Sequence, residues 1–316
     1  MKNFLVFILI ISGFLFASDE QYEKSLIKFL DGDFETANSI VDSIKINDPA
    51  NCDLLILSCK IKIALNDFDG ARDEIEKVIK ESPESSEALA YLAFIQWHKG
   101  EFEDAIKNID MAIEEDPTNS NAYHIKSAFL LEAGNIVDAL SYLNKAVQYD
   151  PTSIDALMTR SWVYKVAGRN EESMIDVNKI LVLHPNNVEA LNRKIGLLII
   201  EEKYEDALEN IDTLLHIDPE NKHAYLSRGR ILFNMGKTDE SLIAHDISIS
   251  IDPFFANAIF SRATIYESVN DYQKAISDYD KLIELSPTDS DLYFSRSFAY
   301  FKTADYFKSF NDIVKS

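Results

Sequence analysis

Six histidines (His98, His124, His184, His216, His223 and His245) and two cysteines (Cys52 and Cys59) are the residues through which this chain could do acid–base, nucleophilic or metal chemistry. Their spacing supports none of it. The sequence holds no glycine-rich phosphate loop, no His-Glu-x-x-His and no nucleophile elbow. Even His216 and His223 lack the spacing of metal ligands. Cys52 and Cys59 fall on what reads as one helix, about 10 Å apart along its axis, too far for a disulfide within it. They read as small packing residues. No cofactor is called for, and the chain reads as a non-enzyme. What remains is recognition chemistry, carried by aromatic, sulfur-containing and cationic side chains that return at a fixed phase.

The net charge narrows the partners. Lys and Arg total 31 against 53 Asp and Glu, a formal charge of -22. Such a balance repels phosphate backbones and anionic lipid, which argues against nucleic acid, and it favours solubility and basic partners. The charge is spread along the chain, as expected of a solvated outer face.

The phase is set by proline. Pro49, Pro83, Pro117, Pro151, Pro185, Pro219, Pro253 and Pro287 follow one another at intervals of 34 residues, and no other proline occurs. Proline cannot continue a helix and pushes the residue before it out of helical space, so each ends a segment at the same point. A fixed period in this range marks a solenoid whose units bury their apolar faces only against neighbours. The units are 18–51, 52–85, 86–119, 120–153, 154–187, 188–221, 222–255, 256–289 and a partial 290–316. No linker or second domain separates them.

Each unit reads as a helical hairpin. In 256–289, Ile259, Ala263 and Tyr266 form one stripe at helical spacing, Asn270-Asp271 interrupts, and Tyr272, Ala275, Ile276, Tyr279, Leu282, Ile283 and Leu285 form a second. Gly32, Gly100, Gly134, Gly168 and Gly236 occupy the turn, where a left-handed cap suits glycine. Asp33, Asp67, Glu101, Asp271 and Asp305 follow it and suit the positive end of the second helix.

These residues resemble the tetratricopeptide repeat pattern, which has a bulky residue at position 4, small residues at 8, 20 and 27, large ones at 11, 17 and 24, Gly near 15 and Pro at 32. Position 20 reads Ala37, Ala71, Ala105, Ala139, Ser173, Ala207, Ser241, Ala275 and Ser309. The resemblance runs from Ser18 to the end and implies an all-α, right-handed superhelical solenoid of antiparallel helix hairpins. Departures are local: Ile195 at position 8, His245 at 24, and Asn170 and Thr238 at 17. Position 7 carries Lys126, Arg160, Lys194, Arg228, Arg262 and Arg296, and position 23 carries Asp176, Asp278 and Asp312. The pairs Arg160 with Asp176, Arg262 with Asp278 and Arg296 with Asp312 are expected to bridge the helices of a hairpin as exposed pairs, each worth at most about 1 kcal/mol.

The resemblance also implies a concave face built from positions 2, 5, 9, 12 and 13 of the first helices. On this chain that face holds Phe94, Trp97, His98, His124, Met158, Trp162, Phe233, Phe260, Phe294 and Phe298, with Tyr22, Phe29 and Phe301. Lys60, Lys165 and Arg230 are its cations, with Arg193 near its edge. One reading makes it a strip of anchors for an apolar partner segment; the other has positions 5 and 9 packing between adjacent first helices. The carboxylate clamp of chaperone-binding members is not supplied by any three successive units.

At the N-terminus, Lys2 precedes the apolar run 4–16, followed by Ala17-Ser18-Asp19. This reads as a signal peptide cut after Ala17, or else as an uncleaved membrane anchor. The expected setting is therefore extracytoplasmic: periplasmic, secreted or lumenal. At the other end Phe307, Phe310 and Val314 lie near an uncapped face and raise self-association. The leading expectation is a scaffold binding a protein or peptide segment in an aromatic groove. The alternatives are a structural subunit of an oligomeric or membrane-anchored envelope assembly, a chaperone-like factor for unfolded clients, and a glycan-binding factor stacking sugars on Trp97 and Trp162.

Overall fold

The computed structural model describes residues 19–316, so the apolar run 4–16 and the expected cut after Ala17 lie outside the described residues. Among the described residues there are eighteen helices and no strand. The first helices of the repeats are α1 (Asp19–Leu30), α3 (Cys52–Ala64), α5 (Ser86–His98), α7 (Ser120–Glu132), α9 (Ile154–Val166), α11 (Val188–Ile200), α13 (Lys222–Asn234), α15 (Ala256–Ser268) and α17 (Ser290–Lys302). The second helices are α2 (Phe34–Lys45), α4 (Phe68–Glu81), α6 (Phe102–Glu115), α8 (Ile136–Tyr149), α10 (Asn170–Leu183), α12 (Tyr204–Ile217), α14 (Thr238–Ile251), α16 (Tyr272–Leu285) and α18 (Tyr306–Ile313). The chain divides into two compact units, one ending at Val163 and the other spanning Tyr164–Ser316. Within each unit it is a solenoid of stacked helix pairs. No helix among the described residues is long and apolar enough to cross a membrane.

Local chemistry sets the helix ends. Asn51, Asn119, Asn187 and Asn221, just before a first helix, accept a hydrogen bond from the backbone N–H three residues on, at 3.1, 3.0, 2.8 and 2.9 Å. Asp33, Asp67, Asp271 and Asp305 cap second helices in the same way. Glu101 does not. Its side chain makes no capping bond and instead takes two hydrogen bonds, at 2.8 and 2.7 Å, from Arg72 of the preceding repeat.

Between the helices of a pair the chain turns through one left-handed residue at position 15. Glycine supplies it at five repeats, and Asn66, Glu202, Asn270 and Ala304 adopt the same conformation at φ of 60°, 57°, 63° and 62°. The period, not the residue type, dictates the turn. Glu202 and Ala304 therefore hold a conformation that costs an L-residue about 1 kcal/mol or more.

Close packing explains position 20, where Ala37, Ala71, Ala105, Ala139, Ala207 and Ala275 are wholly buried. His245 at position 24 is fully buried too, and it fits because Gly229 opposite lacks a side chain. A Cβ on Gly229 would lie 2.3 Å from the imidazole. The His245 Nδ1–H donates to the Ser241 carbonyl at 2.8 Å, and Nε2 has no partner. Burial pushes the pKa of this imidazole below its ordinary value.

The basic ladder at position 7 forms, but its best pairs are not exposed. Arg262 grips Asp278 at 2.9 and 2.6 Å, and Arg296 grips Asp312 at 2.7 and 2.8 Å. Asp278 and Asp312 are only 3% and 4% exposed, which corrects the surface-pair expectation. Each arginine also reaches back to the preceding repeat, Arg262 to Asp246 and Arg296 to Asp280, both at 2.6 Å. In the repeat of residues 52–85 a buried Glu74 takes the acidic role. Burial alone would raise its pKa, but hydrogen bonds from Lys45 and Lys62 lower it to about 2.

Candidate functional site

The unit ending at Val163 uses most of its expected groove residues for its own packing. Trp97 lies flat on Phe129 of the next repeat, centroids 4.1 Å apart, and its Nε1–H donates to Glu132 at 2.6 Å. Phe94 sits half-buried against the same core, edge-on to His98, which in turn stacks on Phe68. Met158 is buried. His124 is half-buried, with Nε2 3.0 Å from Thr159 Oγ1 and its pKa lowered by burial. Lys60 is paired with Glu87 at 2.8 Å and lies over the Tyr91 ring. Burial would lower the Lys60 pKa, but Tyr91 and Glu87 more than offset it and raise the value. Trp162 stays exposed at 42%. Here the packing alternative accounts for Trp97, Phe94 and Met158.

In the unit spanning Tyr164–Ser316 the balance reverses. Phe260, Phe294, Phe298 and Phe301, at positions 5 and 12 or 9 of α15 and α17, are 41%, 63%, 45% and 57% exposed. Phe233 is half-buried one turn along α13 from Arg230. Arg230 is exposed as a residue, and its Nε–H and one terminal N–H both donate to Ser261 Oγ, at 3.2 and 3.1 Å, in a part-buried contact. Lys165 is half-buried, its Nζ 3.8 Å from where a Cβ on Gly196 would lie.

Residue types alone left several contributors unseen. Ser261 was silent because a serine at position 6 carries no signal until its donor is known. Glu267, at position 12 of α15, has a carboxyl oxygen buried without a partner. Burial raises the pKa of this carboxyl, an effect that Tyr279 opposes by hydrogen bonding. Glu87 and Tyr91, which occupy Lys60, are recognisable only once adjacent repeats are stacked.

Cys59 is buried, its thiol pushed up to about 12 by burial, and Cys52 is half-buried; both are free thiols. No cluster of three or more His, Cys, Asp or Glu among the described residues could hold a metal ion.

Comparison with known proteins agrees with the repeat architecture. Residues 70–208 match the family model described as tetratricopeptide repeat protein 21 N-terminal ARM repeat. Residues 201–254 and 256–289 match tetratricopeptide repeat models, the latter on the bounds that the proline phase gives. No curated protein is matched. Among solved structures, the APC/C hetero-tetramer Cut9-Hcn1 aligns over 90% of this chain and 56% of its own, at 14% identity and a TM-score of 0.66. Pseudomonas aeruginosa pilF aligns over 67% of this chain and 96% of its own, at 19% identity and a TM-score of 0.56. IFIT1, in a monomeric variant with a capped RNA, aligns over 95% of this chain and 71% of its own, at 15% identity and a TM-score of 0.60. At these identities the likeness is one of fold.

Proposed function

We propose that this chain, whose repeats match tetratricopeptide repeat models, is a scaffold that holds a segment of a partner protein against the first-helix face of α13, α15 and α17. Repeat proteins of this family act as protein–protein interaction scaffolds and are typically non-catalytic. The observation that carries the finer reading is the row of exposed rings Phe260, Phe294, Phe298 and Phe301. Leaving four large apolar side chains about half exposed forgoes roughly half of the 1.5–3 kcal/mol that fully burying each is worth, and such anchors dominate protein interfaces. In the other unit Phe94 and Trp97 are spent on packing, Trp97 against Phe129 of the next repeat, and Trp162 is the groove ring left exposed.

The test is crosslinking and recovery from native cells with Phe260→Ala, Phe294→Ala and Phe298→Ala combined, the fold checked by circular dichroism. A partner recovered by the unaltered protein and lost from the folded triple variant is the expected result. A partner that survives the three substitutions removes this face from consideration.

The proposed compartment is extracytoplasmic, supported by the composition of residues 1–17. N-terminal sequencing of the native protein is expected to begin at Ser18; an intact Met1 in a soluble cytoplasmic fraction would overturn export.

A further inference from the structure

The helices of the second unit divide the charge unevenly. Second helices α12 and α14 carry seven Asp or Glu, namely Glu205, Asp206, Glu209, Asp212, Asp239, Glu240 and Asp246, and neither has a Lys or Arg. First helices α11, α13 and α15 carry six basic residues against two acidic ones, Glu189 and Glu267, and α13 has no acid at all. In a chain of net charge -22 this is a local inversion. Most of these cations are already neutralised. Arg193, Arg228 and Arg262 lie near Glu189, Asp212 and Asp246, and Lys222 pairs with Asp252.

Arg230 is different. Within this unit Arg169, Arg193, Arg228, Arg262 and Arg296 each lie within reach of a carboxylate, whereas Arg230 has none among the described residues. Ser261 Oγ accepts two of its N–H groups and fixes the guanidinium plane, leaving the remaining donors for an outside acceptor. A guanidinium held by a neutral hydroxyl is pre-oriented for a carboxylate, to which it bonds as a fork. Phe260 is chain neighbour to Ser261, and Phe294 and Phe298 follow one repeat on.

Resting on the groove reading above, we propose that the partner segment is acidic and apolar in sequence, placing an Asp or Glu side chain on Arg230 and apolar side chains on Phe260, Phe294 and Phe298. The acidic part of the segment lies toward Arg230 and the apolar part toward Phe294 and Phe298 of α17. Recognition of this kind rests on neutralising one pre-oriented cation rather than on attraction to the whole surface, which opposes an acidic ligand.

The test uses the full chain and fluorescein-labelled, C-terminally amidated 12-residue peptides. Each has a Leu/Phe-rich half and a half carrying Glu, Gln or Lys at the same sites, and binding is read by anisotropy. Glu peptides are expected to bind at least about tenfold more tightly than Gln counterparts, the preference disappearing in Arg230→Gln and reversing toward Lys peptides in Arg230→Glu. Equal binding of Glu and Gln peptides, lost in Phe260→Ala with Phe298→Ala, would overturn the acidic specificity and leave the groove standing. Preference for Lys peptides by the unaltered protein overturns it as well, and failure of every peptide to bind counts against both readings.

Discussion

Replacing Arg262 by methionine removes the charge that faces Asp278 while keeping much of the side-chain volume. Asp278 is 3% exposed and receives two hydrogen bonds from Arg262, so the substitution strands a buried carboxylate. Breaking a buried pair in this way costs about 3–5 kcal/mol. The control is Arg228→Met. Arg228 holds the same repeat position and pairs with Asp212 at 2.9 Å, but the Asp212 side chain is 58% exposed. Water can take over there, and the loss is about 1 kcal/mol or less. A third variant, Arg262→Met with Asp278→Leu, removes both charges and is expected to recover most of the loss, because the penalty lies in the uncompensated charge. Urea unfolding gives the stabilities, and hydrogen exchange localises the effect to α15 and α16, since a repeat contacts only its neighbours. Equal small losses for Arg262→Met and Arg228→Met would refute the reasoning, as would a double variant no more stable than Arg262→Met.

Three further outcomes follow from the packing. Glu202→Gly and Ala304→Gly, at φ of 57° and 62°, are each expected to stabilise the protein by about 0.5–1 kcal/mol, while Gly100→Ala at 79° is expected to destabilise it by a similar amount; thermal midpoints decide. The Glu74 carboxyl, held at about 2 against an ordinary 4.5, contributes stability that is present above the higher value and lost as pH falls toward the lower one. The loss amounts to about 3 kcal/mol by linkage, and Glu74→Gln should flatten urea midpoints measured across that window. His245, its pKa lowered from 6.5, is neutral in the fold and free to protonate in the unfolded chain, so its contribution is complete above 6.5 and declines below it. A His245→Leu variant should lose that slope, and Gly229→Ala should cost about 1–3 kcal/mol at neutral pH by driving a methyl into the ring.

The prolines made the helix pairs legible, because one residue type ends a helix wherever it falls, and the left-handed turn could be placed in every repeat from the five glycines. Glu202 and Ala304 show the limit of that logic: their side chains argue against the turn, and only the phase predicts it. The spacing of Arg262 and Asp278 foretold the bridge but not its burial, which depends on how the next repeat covers it. The groove was legible as a set of positions and illegible as a surface. Trp97 and Phe260 look alike in sequence, yet Trp97 meets Phe129 and Glu132 across the repeat boundary while Phe260 is left 41% exposed. Likewise the overall acidity pointed to basic partners; the excess of cations on α13 can be counted in the sequence, but that Arg230 is held by the Ser261 hydroxyl and not by a carboxylate shows only once the repeats are stacked.

The most direct measurement places a photo-crosslinking benzoylphenylalanine at position 260, at position 298, or at position 182 on α10, where Val182 is 81% exposed. Irradiation in native cells is expected to join the same partner at 260 and 298 and nothing comparable at 182. A partner captured at 182 with none at 260 or 298 would contradict the claim that the first-helix face of the second unit is where this scaffold binds.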